Sequence, residues 1–190
     1  MVDYKQKVFD ILKENMTEKG FKLWQGINTI LPDTWDKPTS STGKYHKKLN
    51  GVVPCQAEHV YHMLYATVKI MRLFGYKTKT LDGDKMLFAV ALHDSLKYGT
   101  LGSRKHTDSK HDKEAADMIA SNKNTFLKVL TEEQFYVMEE MVRFHSGQWS
   151  TDMPKNKKFD FRDYNPETMF IHLLDMLSTA DLIQTDVREE

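Results

Sequence analysis

The chain has 190 residues, with 27 basic and 27 acidic side chains, a formal net charge of zero and a hydrophobic fraction of 40%. These values suit one compact unit around a single buried core and argue against a strongly basic nucleic-acid clamp. The lone Cys55 excludes a disulfide within the chain, no apolar run approaches membrane-spanning length, and the opening MVDYKQKVFDILKEN is charged rather than signal-like, so a cytoplasmic protein with no membrane partner is expected.

Residues 3–19 read as an amphipathic helix, with Val8, Ile11, Leu12 and Met16 on one stripe and Gly20 as its stop. A short helix over 21–31 ends before Pro32. Residues 32–54 are rich in Pro, Gly, Ser, Thr and Lys and read as a polar loop. A long helix over 55–75 ends at Gly75, and another spans 83–98. Residues 99–109 form a polar connection, and helices follow at 110–128, 131–145 and 166–187. The stretch 146–165, with Gly147, Pro154 and a lysine cluster, reads as a loop. Strand-like alternation and internal repeats are lacking. The expected fold class is all-α: a single helical bundle with active-site loops, in which residues 1–54 pack two helices and a polar SSTGKYH loop on a core formed by 55–190.

The histidines are the informative residues. At 55–75, His59 shares a helical face with Met63, Ala66, Ile70 and Leu73 and points to the core, whereas His62 shares its face with Lys69 and Arg72 and should be wet. In MLFAVALHDSLKYG an apolar run ends in the pair His93-Asp94, with Lys97 close enough along the helix to converge on both. His111 lines up with Ala115 and Met118, and His145 with Phe135, Met138 and Val142. In the last helix Asp175 falls with Ile171, Ser178 and Leu182, and Asp181 with Leu174 and Leu177; periodicity does not choose between them.

One histidine on an apolar helical face is ordinarily a satisfied core residue, and a lone buried aspartate is rare because an unpaired carboxylate is costly to bury. Here five separate helices each bring a His or Asp to an otherwise apolar face. A divalent metal removes the energetic difficulty of burying them together, since it binds carboxylate oxygen and neutral imidazole directly.

The segments AEHVYHML, ALHDSLKYG and HLLDMLS, in that order, resemble the ligand motifs of the HD-domain metal-dependent phosphohydrolase superfamily, over about residues 59–180. The resemblance implies metal ligation by His59, His93, Asp94 and Asp175, and so favours Asp175 over Asp181. KHDKEAADMI and VRFHSG resemble segments that hold a second metal in some branches and supply His111 and His145. The implied cofactor is one or two divalent ions (Mn, Mg, Fe, Co or Ni). The implied catalytic groups are Asp94, Lys97, His111 and His145, acting on a small-molecule nucleotide by hydrolysis of a phosphoester or phosphoanhydride.

KPTSSTGKYHKKLNG resembles a stretch that precedes the first motif in some small, often phage, members. Ser41, Thr42 and Lys44 there, with Lys97 and the loop residue Arg104, are candidate phosphate contacts. Arg143 reads as a helix-surface residue. A rival reading within the superfamily is a single-strand nucleic-acid exonuclease, using Trp149, Lys155, Lys157, Lys158, Phe159, Phe161 and Tyr164. A non-catalytic nucleotide-binding module and a purely structural bundle are the remaining alternatives, and the first helix could serve a homo-oligomer.

Overall fold

The computed structural model describes residues 2–40, 53–153 and 160–179. The first helix, α1 (Tyr4–Asn15), starts where the Asp3 carboxylate accepts from the Gln6 backbone N–H, and it buries Val8 and Leu12. It ends earlier than expected. Met16 is extended, and Thr17 caps a second helix, α2 (Glu18–Asn28), by accepting from the Gly20 N–H. Gly20 is therefore not a stop but a residue of the first turn of α2. Its size answers a tertiary demand: an added Cβ would overlap the carboxylate of Asp84. Asp84 in turn accepts from the Thr17 N–H at 2.8 Å and from the Thr17 hydroxyl, fastening this corner to the bundle centre.

After the loop, α3 (Gln56–Ile70) is tied at its start to residues 35–39 through Ala57 N–H to the Trp35 carbonyl, Gln56 N–H to that of Lys37, and Thr39 N–H to that of Pro54. It tightens into a 3₁₀ turn over Met71–Phe74 and stops at Gly75, whose φ of +82° is left-handed. That tightening rotates the face. Met71 is fully buried, while Leu73, expected on the core stripe with His59, is 83% exposed.

Helix α4 (Leu81–Leu92), capped by Thr80, is buried on every side from Gly83 to Leu92 and forms the bundle axis. The expected extent to residue 98 is cut short at His93, from which i→i+3 hydrogen bonds carry the chain to a left-handed Gly99. The helix expected at 110–128 divides at Asn122 into α5 (His111–Ser121) and the single turn α6 (Lys123–Phe126). Helix α7 (Glu132–Arg143) opens with a Thr131/Gln134 capping box. Helix α8 (Pro166–Thr179) starts on Pro166, and the Glu140 carboxylate of α7 accepts from Asn165 and Thr168 around its first turn. The expected loop at 146–165 contains two short 3₁₀ turns, Gly147–Trp149 and Phe161–Asp163.

One core cluster joins all of this. Val8, Leu12 and Trp24 from the first two helices share it with Met63, Phe88, Phe126, Phe135 and Ile171. Each such fully buried side chain contributes about 1.5–3 kcal/mol of apolar burial. The architecture is an all-α bundle: apart from one isolated bridge between Pro38 and Cys55, the described residues hold no strand. No described helix is long and apolar enough to cross a membrane.

Candidate metal centre

The bundle gathers His59 from α3, His93 and Asp94 from the end of α4, His111 from the start of α5, His145 from just after α7, and Asp175 from α8. His59, His93, Asp94 and His145 are 2% exposed or less. The Nδ1 atom of each histidine is held from outside. His93 Nδ1 lies 2.8 Å from the Val90 carbonyl, His111 Nδ1 2.7 Å from that of Asp108, and His145 Nδ1 2.7 Å from that of Val142. A carbonyl only accepts, so Nδ1 carries the proton in all three. His59 Nδ1 lies 3.0 Å from Ser178 Oγ, which gives its own proton to the Asp175 carbonyl at 2.8 Å and so accepts from His59. In the neutral imidazoles every Nε2 is then a lone-pair donor, and all four face inward.

These Nε2 atoms converge with two carboxylates. His59 Nε2 is 3.2 Å from His93 Nε2 and 3.3 Å from Asp175 Oδ1. Asp94 Oδ2 lies 3.6 Å from His59 Nε2 and 3.5 Å from His93 Nε2. Asp94 Oδ1 lies 3.1 Å from His111 Nε2 and 3.6 Å from His145 Nε2, and those two nitrogens are 3.3 Å apart. Oδ1 of Asp94 and Oδ1 of Asp175 are buried and accept no hydrogen bond. Orphaned carboxylate oxygens in a dry core cost several kcal/mol unless a cation answers them. Ligands about 2.1 Å from one ion stand roughly 3.0–3.4 Å from each other at the angles divalent metals adopt, which the closest pairs here match. Among the described residues, the ligand atoms of His59, His93 and Asp175 lie within 4.8 Å of one another, as do those of His93, Asp94 and His145. The donor set is nitrogen and oxygen without thiolate, which suits Mn, Fe, Co, Ni or Mg. These residues fit one divalent ion, with room in the ligand set for two.

The electrostatics agree. Burial works to raise Asp94, but the Lys97 ammonium holds it well below the usual carboxylate range. Burial likewise opposes ionisation of Asp175, and it is a proton on the adjoining His59 or His93 ring that holds it low. Burial pushes His93 down to about 3 and pushes His111 down as well, against the pull of Asp94. His145 moves the other way: burial opposes its charge, yet Asp94 and then Asp175 raise it. Ionised acids beside neutral His93 and His111 are the states that metal ligation requires. A centre that also draws an ammonium onto Asp94 and a proton toward His145 is short of positive charge.

Lys97, expected to face phosphate, places its ammonium on Asp94 Oδ2 at 2.5 Å. Arg104 does not reach the centre: its guanidinium pairs with Asp108 and, at 3.3 Å, with Glu114. Arg143 is engaged by Asp117, Glu139 and Asp152. His62 is half-buried rather than wet, edge-on to the Tyr4 ring at 5.8 Å. Ser41, Thr42, Lys44, Asp181 and the lysines at 155, 157 and 158 lie outside the described residues.

Several supporting residues carried no expectation. Ser178 holds His59, and its position on the Asp175 face was the available signal. His172 holds the His145 carbonyl through Nδ1 at 2.7 Å and packs against Gly147, where a Cβ would overlap its ring. Asp112, next to His111, accepts from the Thr151 N–H and hydroxyl, each at 2.7 Å, and so pins α5 to the loop after His145. No family model matches this chain, and no curated protein or solved structure matches it either.

Proposed function

We propose that this protein is a metal-dependent phosphohydrolase that cleaves a phosphoester or phosphoanhydride bond, with a nucleotide as substrate. The observation that carries the reading is the convergence of four Nδ1-anchored imidazoles on two buried carboxylates, each with an oxygen that accepts no hydrogen bond. A divalent ion held by His59, His93, Asp94 and Asp175 would supply a Lewis acid for a phosphoryl oxygen and a water acidic enough to attack at neutral pH. The chain supplies the rest. Asp94 and Asp175 provide the negative charge that retains the ion. Lys97 can turn its ammonium from Asp94 to a phosphate oxygen and stabilise charge that grows there. His111 and His145 serve a second ion or, with one ion, exchange protons with the reacting oxygens.

The test is a phosphate-release screen over nucleoside mono-, di- and triphosphates with Mn, Mg, Co and Ni, each with a chelator control. Activity should appear only with metal, and His93→Ala should abolish it while the melting profile stays cooperative. Full activity in His93→Ala, or activity indifferent to chelation, refutes the reading. Trp149, 62% exposed on the turn after His145, favours a second reading in which single-stranded nucleic acid stacks there. Oligonucleotide affinity that falls steeply with salt and weakens in Trp149→Ala would support it. A cytoplasmic setting fits the single free Cys55 and the absence of a membrane-crossing helix among the described residues.

A further inference from the structure

Beside the candidate metal centre, a recess of ≈ 300 Å³, counting the solvent at its mouth, runs between the start of α3, the end of α4 and residues 31–35. Asp94 forms part of its wall, so it shares a residue with the centre. The remaining walls are apolar where Leu31, Pro32, Trp35 and Val60 line it, and polar at Asn28, Thr34, Gln56 and Ser95. Its enclosed part has room for about one small polar group.

Part of the polar wall is unsatisfied. Gln56 is 3% exposed, and its Oε1 is taken by the Thr34 hydroxyl at 3.0 Å. Its Nε2 accordingly carries two N–H donors with no acceptor. The Ser95 hydroxyl, one residue after Asp94, is likewise buried without a partner. Two buried polar atoms, the Gln56 amide nitrogen and the Ser95 hydroxyl oxygen, without partners beside a recess that touches Asp94 are costly for folding alone, since each forfeits its hydration. Their arrangement selects a ligand group. An aliphatic hydroxyl accepts from the Gln56 amide and exchanges a hydrogen bond with Ser95, whereas an ammonium offers no lone pair to the amide donors. An ordered water can satisfy the same atoms, and a ligand hydroxyl displaces it without loss of hydrogen bonds.

We infer that this recess is the leaving-group subsite, in which Gln56 and Ser95 recognise a hydroxyl of a nucleoside sugar while the apolar wall, with Trp35, packs against the sugar or base. The inference rests on the phosphohydrolase reading for its chemistry but on the recess for its geometry. Thr34 is a positioning residue, since it acts by fixing the Gln56 amide.

The experiment uses adenosine 5′-monophosphate and its 2′-deoxy, 3′-deoxy and 2′,3′-dideoxy forms with the Mn-loaded protein, and the four corresponding nucleosides in calorimetry with the metal-free protein. Gln56→Met and Ser95→Ala are compared with wild type; Ser95→Ala keeps the test open where Gln56→Met does not fold. Wild type should prefer one hydroxyl-bearing form over its deoxy partner on the order of 10–100-fold in kcat/KM and in affinity, and both variants should move that ratio toward one. A wild-type ratio of one, or variants that keep the wild-type ratio, overturns the subsite and leaves the hydrolase reading standing. Hydroxyl-dependent nucleoside binding that the variants lose, without phosphate release from any ester, supports the subsite and overturns the hydrolase reading. Neither release nor hydroxyl-dependent binding overturns both.

Discussion

Metal should stabilise this fold far more than an adventitious ion does, and Asp94 should be the reason. An ion that binds the folded chain alone adds RT ln(1 + [L]/Kd), about 4.1 kcal/mol when free metal exceeds Kd a thousandfold. A chain of this length gains roughly 2–4 °C in Tm per kcal/mol, so saturating Mn should raise the melting temperature by roughly 8–16 °C over a chelated sample. Asp94→Asn separates the two roles of that carboxylate. Without metal it leaves the Lys97 ammonium, 8% exposed, facing a neutral amide. The loss should fall at the low end of the roughly 3–5 kcal/mol found when one partner of a buried pair is removed. With metal, the same variant should lose most of the stabilisation, because Asp94 offers an oxygen to both groups of imidazoles. Differential scanning fluorimetry with Mn, Mg, Fe, Co and Ni, each against a chelator, reads both effects. Melting temperatures unmoved by every one of these ions, or an undiminished rise in Asp94→Asn, would refute the reasoning.

Ser178→Ala removes the acceptor that fixes the His59 ring and should weaken metal affinity on the order of 10–100-fold with little change in the chelated melting temperature; calorimetric titration checks it, and an unchanged affinity counts against the tautomer argument. Gly20→Ala should destabilise by about 1–3 kcal/mol, because the new methyl meets the Asp84 carboxylate. In a double-mutant cycle with Asp84→Ala that cost should shrink, whereas strict additivity would show that the contact is not its source. The pH dependence has a defined sign at Glu167. Burial alone would raise its pKa, but Lys85 at 3.0 Å and Tyr76 at 2.9 Å hold it low. A depressed folded pKa means stability that is present above the unfolded value and lost as pH falls through the folded one. Urea denaturation from pH 7 down to about 3, below the ordinary glutamate pKa, should therefore show a decline that Glu167→Gln reduces, and parallel profiles for the two proteins would contradict this.

Periodicity was strong enough to find the helices and to set His59 on the core face of α3, although His62, expected to be wet, is half-buried. It failed where tertiary contacts set the local outcome. Gly20 looks like a helix stop in isolation, yet it sits inside α2 because Asp84, distant in sequence, needs the space. Leu73 follows the α-helical spacing on paper, but the 3₁₀ turn at Met71 swings it into solvent. Arg104 looked available for phosphate because its partners Asp108 and Glu114 meet it only after the loop folds back on α5. Periodicity alone also left Asp175 and Asp181 level; the structure brings Asp175 to 3.3 Å from His59 Nε2, and Asp181 lies outside the described residues. Gln56 and Ser95 had no sequence signal at all, since a neutral polar residue near a helix end is common and only the recess around it gives it meaning.

The division of labour within Asp94 bears on how many ions the centre can accept. Its Oδ2 faces His59, His93 and Lys97, and its Oδ1 faces His111 and His145. The first half has a carboxylate of its own in Asp175, 3.3 Å from His59. Among the described residues, the second half has only the single oxygen of Asp94. Carboxylate charge dominates the retention of a hard divalent ion, so the two halves are electrostatically unequal. An ion among His59, His93 and Asp175 answers two negative groups and is the stronger site. An ion among His111, His145 and Asp94 Oδ1 shares one negative charge already spoken for on its other side, and it must also compete with a proton on the raised His145. On the phosphohydrolase reading, a substrate phosphate would supply the missing negative charge there. On that reading one ion would be retained and a second would arrive with substrate, while the two imidazoles of the weaker half stay anchored by backbone carbonyls in either case.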